Sequence, residues 1–157
     1  MQYRVGFSKD THNLIDGHNI KLGGIEIPSN KSVEAYSDGD ILYHSLAEAL
    51  FGSLGLEDLG QNYNSKNMTE GFDSFIIIFD ALNHLNKKNY KISNVDILIE
   101  LDSPKLGQYK NEIKQKLAKE LTISLDQISV KATTTEGNFE NIITCYCNLI
   151  IYKSEEK

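Results

Sequence analysis

The 157-residue chain has no apolar run that approaches the ~20 residues needed to cross a membrane. Its N-terminal segment has no charged stretch followed by a long apolar one, so we expect no signal peptide. It also lacks an excess of positive charge. The formal net charge is −6, whereas general nucleic-acid binders carry a basic face that offsets backbone phosphates. We therefore expect neither a membrane nor a nucleic acid as a partner.

Cysteine is scarce as well. Cys145 and Cys147 are the only two, and they lie two residues apart in a strand-like run. Side chains at that spacing leave the same face of a strand, which is poor geometry for a local disulfide. The second cysteine pair that a structural zinc site would need is lacking. We interpret both as small buried strand residues and expect a reducing, cytoplasmic setting, or the equivalent stroma of an organelle.

Length favours one domain with one core over residues 1–157, and periodicity places strands at both ends of the chain with helices between them. The predicted strands cover 3–8, 19–27, 92–101, 128–132 and 142–152. The predicted helices run from a cap at 37–40 to about 55, over 72–89 and over 107–121. The turn at Asp16-Gly17 is expected to join the first two strands in a hairpin, and residues 153–157 are expected to fray. The order β-β-α-α-β-α-β-β predicts an α+β fold with helices on one face of a mixed β-sheet.

Two of the four histidines lie near carboxylates. Asp10 and His12 are two residues apart in an extended segment, so both side chains should point the same way. His44 lies on a polar stripe of the first predicted helix, four residues from Asp40 and from Glu48. Together, Asp10, His12 and His44 would give a catalytic metal site, most simply a zinc site, with three protein ligands and a fourth position open. Asp40 or Glu48 could then orient an imidazole.

A second polar group follows a predicted strand. The segment from Lys131 to Gly137 contains three threonines and Glu136. Hydroxyls and exposed amides at a strand end can bind phosphate oxygens, and a carboxylate can hold a hard cation such as magnesium. Nearby, Pro104 could start the third helix and place Lys105 beside an anion-binding helix N-terminus.

Each of these patterns also has an ordinary structural explanation. The Asp-x-His spacing could be accidental, with His44 solvated on its helix. The threonines could be a β-branched strand end that leads into a glycine turn, and Lys105 could be a surface lysine. His18 and His84 have no comparable neighbours and are predicted at the surface or in turns.

In combination, the segments resemble the 2-C-methyl-D-erythritol 2,4-cyclodiphosphate synthase family from Arg4 to about Tyr152. Two blocks are specific together: Ser-Asp-Gly-Asp-x-x-x-His, ending at His44, and Lys-Ala-Thr-Thr-Thr-Glu, ending at Glu136. The other matching segments are Arg4 to Gly6, Asp10 to His12, Leu22 to Ile25, Ile27-Pro28, Glu57 to Gly60, Asn94 to Asp96 and Pro104-Lys105.

The resemblance implies an α+β homotrimer with active sites between adjacent subunits, in non-mevalonate isoprenoid biosynthesis. The implied phosphorylated substrate is 4-diphosphocytidyl-2-C-methyl-D-erythritol 2-phosphate. Its 2-phosphate attacks the β-phosphorus of its own diphosphate, cytidine monophosphate (CMP) leaves, and a cyclic diphosphate forms. Because the substrate carries the attacking group, the protein needs positioning and cations rather than a serine or cysteine nucleophile.

The resemblance also implies roles for single residues. Asp10, His12 and His44 would hold one zinc per subunit, and Glu136 would hold a second divalent cation, magnesium or manganese. Thr134 would stabilise the transition state. Asp10, His12, Thr134 and Glu136 would also contact the substrate. Further implied substrate-binding residues are Asp58 and Gly60 for the erythritol part, Lys105 and Thr133 for the cytidine phosphate end, and Ser37 and Thr135.

The chain departs from the family pattern at three places. Tyr36 stands where the family has a histidine, so a neutral hydrogen-bond donor replaces a positive charge. Residues 63–67 read Tyr-Asn-Ser-Lys-Asn in place of Phe-Pro-Asp-Thr-Asp. The stretch after Glu136 is shorter and lacks an arginine, and one lost charge-assisted phosphate contact costs ~1.5–3 kcal/mol. The alternative to an active synthase is therefore a catalytically weakened, metal-containing trimer that binds a nucleotide or isoprenoid phosphate.

Overall fold

The computed structural model describes residues 2–154. The strands are β1 (Tyr3–Asp16), β2 (Asn19–Leu22), β3 (Ile25–Pro28), β4 (Lys31–Val33), β5 (Tyr90–Glu100), β6 (Ile128–Thr133) and β7 (Ile142–Lys153). The helices are α1 (Ile41–Ser53), α2 (Leu59–Asn62), α3 (Phe75–Lys87) and α4 (Lys110–Leu121), followed by a 3-10 turn at Leu125–Gln127. Of the tail predicted to fray, Lys153 ends β7, and residues 155–157 lie outside the described part.

Five strands form one sheet in the order β4-β1-β7-β5-β6, in which β5 and β6 are parallel and the other neighbours are antiparallel. Alternate residues of the central strands are buried, so one face of the sheet carries the helices. Helix α1 packs on β1 and β7, α3 on β5, and α4 on β6. The predicted α+β fold, with helices on one face of a mixed sheet, is confirmed.

The element order differs from the prediction at the N-terminal end, where four strands precede the first helix. Gly23 and Gly24 adopt positive φ angles of 58° and 74° and split the predicted strand 19–27 into the hairpin of β2 and β3. The predicted hairpin through Asp16 and Gly17 is wrong, because β1 pairs with β4 and not with β2. Strand β1 also continues well past residue 8, since its polar second half pairs with β7 as far as Asn13.

Helix boundaries shift in two places that matter for the site. Helix α4 begins at Lys110 rather than near 104–107, so Pro104 does not start it and Lys105 does not lie at its N-terminus. A short helix, α2, lies between the first two predicted helices, where no helix or strand was predicted. Within residues 2–154, no helix combines the length and apolar character needed to cross a membrane.

The two cysteines are free and buried in β7, as predicted. Burial raises the pKa of Cys147 to about 12 and raises the pKa of Cys145 well above its ordinary value. Both thiols are therefore protonated at neutral pH, and neither is available as a thiolate nucleophile or metal ligand.

Asp40 fixes the start of α1. It is fully buried, and its carboxylate accepts hydrogen bonds from the backbone N–H groups of Gly23 (2.9 Å), Gly24 (2.7 Å) and Tyr43 (3.1 Å). Two of these donors belong to the turn between β2 and β3, so Asp40 joins that turn to the helix N-terminus. Burial, which outweighs the three donors, raises the pKa of Asp40 to about 6.

Helix α1 contacts the sheet directly at Gly6 of β1. A Cβ atom added at Gly6 would lie 2.0 Å from the carbonyl oxygen of Ala49. Next to it, the Ser8 hydroxyl donates to the Ser45 carbonyl at 2.5 Å, and the Ser45 hydroxyl donates to the Cys145 carbonyl at 3.0 Å. The missing side chain and the two buried hydroxyls bring the helix and strand backbones into contact.

We predict that Gly6→Ala destabilises the protein by about 3 kcal/mol, because the carbonyl group of Ala49 and the side chain of Leu149 block the new methyl group. Gly52 lies in helix α1, and a Cβ atom added there has no heavy atom within 4 Å. Gly52→Ala should therefore stabilise the protein by about 0.5–1 kcal/mol. Urea unfolding followed by circular dichroism measures both changes. Equal stability of the two variants would contradict the close packing at Gly6.

A pH dependence follows from Asp40. Its pKa in the folded protein, about 6, lies above its ordinary value of 3.8, so the folded state binds this proton more tightly than the unfolded chain. The resulting stabilisation is fully present below the unfolded pKa and is lost as the pH rises through the folded one. The unfolding free energy of the wild type relative to Asp40→Asn should therefore increase from pH 7.5 to pH 4.5. Groups common to both proteins cancel in that difference, and a constant difference would contradict the assignment.

Candidate active site

Strand β1 and helix α1 bring Asp10, His12 and His44 to one cavity. Asp10 and His12 lie on the face of β1 that the helices cover, whereas the residues that alternate with them along the strand are exposed. His44 lies one turn into α1. All three line a cavity of about 440 Å³, which also includes Glu48 and Leu59. The predicted side-chain direction for the Asp-x-His pair is thus observed.

His12 is held from both sides of its ring. Its Nε2 atom lies 3.2 Å from Oδ1 of Asp10, and its Nδ1 atom lies 2.9 Å from the carbonyl oxygen of Glu34. Because a carbonyl can only accept, Nδ1–H is the donor and Nε2 is directed toward Asp10. The hydrogen bond with Asp10 raises the pKa of His12, against the opposing effect of burial.

His44 has a different environment. Burial lowers its pKa, so the imidazole is neutral near pH 7 and keeps a lone pair for a metal. Its Nε2 atom lies 2.9 Å from the hydroxyl of Ser74. The suggestion that Asp40 or Glu48 orients this ring is wrong. Asp40 caps α1, and the Glu48 carboxylate accepts a hydrogen bond from the Leu59 N–H at 3.1 Å.

The three side chains fit zinc by their chemistry. They offer one carboxylate oxygen and two imidazole nitrogens, the donors that zinc takes in catalytic sites. The Nδ1–H bond from His12 to a backbone carbonyl is the kind of contact that orients a metal-binding imidazole. Among residues 2–154, no three His, Cys, Asp or Glu side chains are gathered closely enough to hold an ion. In the arrangement observed, His12 instead contacts the Asp10 carboxylate, and His44 is hydrogen-bonded to the Ser74 hydroxyl.

A second cavity, of about 320 Å³, shares His12 and His44 with the first. Its other lining residues are Ala35, Tyr36, Ser37, Tyr63, Asn64, Ser65 and Phe72. Ser37 therefore lies beside the histidines, as its predicted substrate-binding role requires. Asp58 and Gly60 are exposed on either side of Leu59, which lines the first cavity, so they lie near its rim.

Two tyrosine side chains form hydrogen bonds that hold the loop of residues 63–72, which forms one wall of the second cavity. The Tyr36 hydroxyl donates to the Met68 carbonyl at 3.1 Å, and the Tyr36 carbonyl accepts from the Gly71 N–H at 2.7 Å. The Tyr63 hydroxyl donates to the carboxylate of Asp80 on α3. Burial and that carboxylate raise the pKa of Tyr63. Tyr36, which stands in the place of the family histidine, is thus hydrogen-bonded to this loop.

The predicted phosphate-binding loop lies at the end of β6. Thr134, Thr135 and Glu136 line a separate cavity of about 490 Å³. The Thr134 hydroxyl donates to Oε1 of Glu136 at 3.2 Å, and Glu136 has a positive φ of 57°. Such a backbone is strained for a residue with a side chain and occurs preferentially at functional sites. Thr133, the last residue of β6, is exposed beside them.

Asp102 organises this loop and was not predicted. Its carboxylate accepts hydrogen bonds from the Thr135 N–H at 2.6 Å and from the Thr135 hydroxyl at 2.5 Å. These bonds lower the pKa of Asp102, and the charge of Lys105, which is itself exposed, contributes. The available signal was topological: β5 and β6 are parallel, so residues that follow them meet at one edge of the sheet.

The candidate metal ligands and the predicted phosphate-binding loop lie at the same end of the sheet but on different strands. The pairing register aligns Thr11 of β1, Thr144 of β7, Glu100 of β5 and Thr133 of β6 in one row. Three strand spacings of ~4.8 Å, or about 14 Å, separate β1 from β6. A single chain therefore does not bring Glu136 and the histidines to one cavity.

Comparison with known proteins agrees with this architecture. The 2-C-methyl-D-erythritol 2,4-cyclodiphosphate synthase of Fusobacterium nucleatum is 37% identical over 158 residues, which cover 97% of this chain and 98% of that protein. The CDP complex of IspF from Plasmodium falciparum has a TM-score of 0.85 at 32% identity, covering 98% of this chain and 97% of that one. The bifunctional IspDF from Campylobacter jejuni has a TM-score of 0.91 at 27% identity, and this chain covers 43% of it.

The match to the family model confirms the resemblance seen in the sequence. It takes in residues 3–152, and so includes both the block that ends at His44 and the block that ends at Glu136. The chain belongs to the YgbB family.

Proposed function

We propose that this chain is a 2-C-methyl-D-erythritol 2,4-cyclodiphosphate synthase, formed by one domain and acting in non-mevalonate isoprenoid biosynthesis. An oxygen of the substrate 2-phosphate forms a bond to the β-phosphorus. The bond from that phosphorus to the bridging oxygen breaks, and its electron pair leaves with CMP. The observation that carries this proposal is the cavity that Asp10, His12 and His44 line together. It is supported by a relative of this name that the chain matches over 98% of its length.

The residues of the first cavity would bind and orient the diphosphate. Asp10, His12 and His44 would hold zinc, which when bound polarises a phosphoryl oxygen. His44 is suited to this role because burial keeps its imidazole neutral. Ser37 would contact the substrate from the second cavity, and the two residues that flank Leu59 would contact the erythritol part at the rim.

The residues of the phosphate-binding loop would hold the cytidine phosphate end. Glu136 would bind a second divalent cation, magnesium or manganese, through its carboxylate. Thr134 would donate to the phosphoryl group in the transition state, while Thr133 and Lys105 would contact the cytidine phosphate. The Thr135 hydroxyl is committed to Asp102, so the contact of Thr135 would serve mainly to hold the loop.

A homotrimer would complete the site. The outward face of β1 exposes Tyr3, Val5 and Phe7, which are 58%, 68% and 61% accessible and lie on one strand face. Such an apolar patch is typical of an interaction surface. An assembly through this face supports an active site in which the β6 edge of one subunit meets the histidine cavity of the next. The two protonated thiols are in keeping with a reducing cytoplasmic or stromal setting.

One observation favours the weaker function, in which the trimer binds a nucleotide or isoprenoid phosphate with little turnover. The Tyr36 hydroxyl, in the place of the family histidine, is engaged with the Met68 carbonyl rather than free for a phosphoryl oxygen. The intact set of Asp10, His12, His44, Thr134 and Glu136 favours the enzyme, since a degraded site would be expected to lose metal ligands as well.

The deciding assay combines the purified protein, zinc, magnesium and authentic substrate, and measures released CMP together with the cyclic product. We predict stoichiometric conversion to both, because all four proposed cation ligands, Asp10, His12, His44 and Glu136, are present. Binding of a cytidine nucleotide without CMP release at high protein concentration would replace the synthase by the weaker function.

Two histidine variants supply the matched comparison. His44→Ala removes a proposed zinc ligand and should lower CMP release more than about a hundredfold and abolish stoichiometric zinc. His18→Ala changes an exposed side chain in the turn after β1 and should leave both unchanged. Zinc retained at one per chain in His44→Ala would refute the ligand set.

We further predict a particle of three 17.7 kDa chains in light scattering. Val5→Asp should dissociate it and abolish activity, since burying one apolar side chain contributes about 1.5–3 kcal/mol and a carboxylate reverses that gain. Ile76→Asp, at an exposed position of α3, should leave the particle intact. A monomeric, fully active wild type would exclude the shared site.

A further inference from the structure

Ser74 lies between His44 and a partly buried ion pair of Lys21 and Asp38. It is the residue that immediately precedes α3, and it is fully buried. Its hydroxyl donates a hydrogen bond to Oδ1 of Asp38. The other carboxylate oxygen of Asp38 accepts from Nζ of Lys21 at 2.6 Å. The same Ser74 oxygen lies 2.9 Å from Nε2 of His44. The four side chains form one continuous chain of hydrogen bonds from Lys21 to the imidazole.

The direction of these bonds follows from what each group can do. The Asp38 carboxylate, paired with the Lys21 ammonium, can only accept, so the single hydroxyl proton of Ser74 is directed to it. The Ser74 oxygen is left with lone pairs, so Nε2–H of His44 must be the donor. A neutral imidazole that carries its proton on Nε2 has its lone pair on Nδ1.

The chain of hydrogen bonds is held by three separate parts of the fold. Lys21 lies in β2, Asp38 in the segment before α1, and Ser74 at the start of α3. Asp38 also accepts a hydrogen bond from the Asp40 N–H at 3.2 Å, which ties it to the cap of α1. Rotation of the His44 ring would leave a half-buried Nε2–H and the Ser74 oxygen without partners, which disfavours the rotated ring.

We infer that Ser74 is a positioning residue for metal binding: together with Asp38 and Lys21 it fixes His44 so that Nδ1 is the nitrogen presented to the ion. This inference rests on the metal set of the proposed function. Ser74 itself would touch neither the metal nor the substrate. Metal-bound histidines commonly donate their second N–H to such a partner, and removing that partner typically costs 10–100-fold in metal affinity.

The test measures the zinc dissociation constant of the purified trimer by competition with a chelator. Ser74→Ala should weaken zinc binding by about 10–100-fold. Asp38→Asn, which keeps an acceptor but removes its charge, should weaken zinc binding in the same direction. The control is Ser53→Ala, a buried serine whose hydroxyl donates to the Leu50 carbonyl of its own helix at 2.7 Å, and it should bind zinc as the wild type does.

A spectroscopic measurement gives a readout that a purely structural role would not change. In nitrogen-15 spectra of the zinc-loaded wild type, His44 should show a coordinated Nδ1 and a slowly exchanging Nε2–H proton. That proton should exchange rapidly in Ser74→Ala and remain slow in Ser53→Ala. A coordinated Nε2 in the wild type would overturn the inference directly.

The outcomes separate this inference from the proposed function. Unchanged zinc affinity in Ser74→Ala, with a wild type that releases CMP, overturns the role of Ser74 and leaves the synthase standing. A wild type that binds no zinc overturns both the metal set and the role of Ser74. Weaker zinc binding in Ser74→Ala supports the role of Ser74 even in a chain that binds substrate without turnover.

Discussion

The contact between the backbones of α1 and β1 at Gly6 determines the geometry of the whole site. It sets the helix so close to the strand that Ser45 and Ser8 share a buried hydrogen bond. Asp10 and His12 follow Ser8 on the same strand face, and His44 immediately precedes Ser45 in the helix. The close packing that serves the core therefore also places the imidazole of the helix over the carboxylate and imidazole of the strand.

The electrostatics of the cavity follow from unequal burial of its two histidines. His12 contacts the Asp10 carboxylate and the Glu34 carbonyl, which raise its pKa, whereas burial lowers the pKa of His44. One ring thus tends to take a proton and the other stays neutral. To accept the proposed diphosphate, a cavity of this kind in a chain of net charge −6 would need cations. In the proposed site, Asp10 and the two histidines would hold one cation, and Glu136 would hold the second.

The alternation of residues along the strands and the local sequence motifs predicted much of the fold and of the candidate site. What they missed depends on contacts between residues that are distant in sequence. Alternation along an extended segment correctly put Asp10 and His12 on one face. The role of Asp40 could not be read locally, because two of the donors to its carboxylate come from the glycine turn between β2 and β3. Ser74 lies thirty residues from His44 along the chain and has no periodic signal that would connect them. The blocks that ended at His44 and Glu136 predicted the family but not these supporting contacts.

The register of the sheet supports the proposal that a second subunit completes the site. Strands β7 and β5 lie between β1, which carries Asp10 and His12, and β6, which leads into the loop of Thr134 to Glu136. In the proposed homotrimer, the loop of one subunit would reach the cavity of the next through the exposed face of β1. Cation binding, substrate binding and subunit association would then be linked, because each ligand that bridges two subunits stabilises the trimer by mass action. Loss of a phosphate contact after Glu136 would weaken that bridge as much as it weakens catalysis.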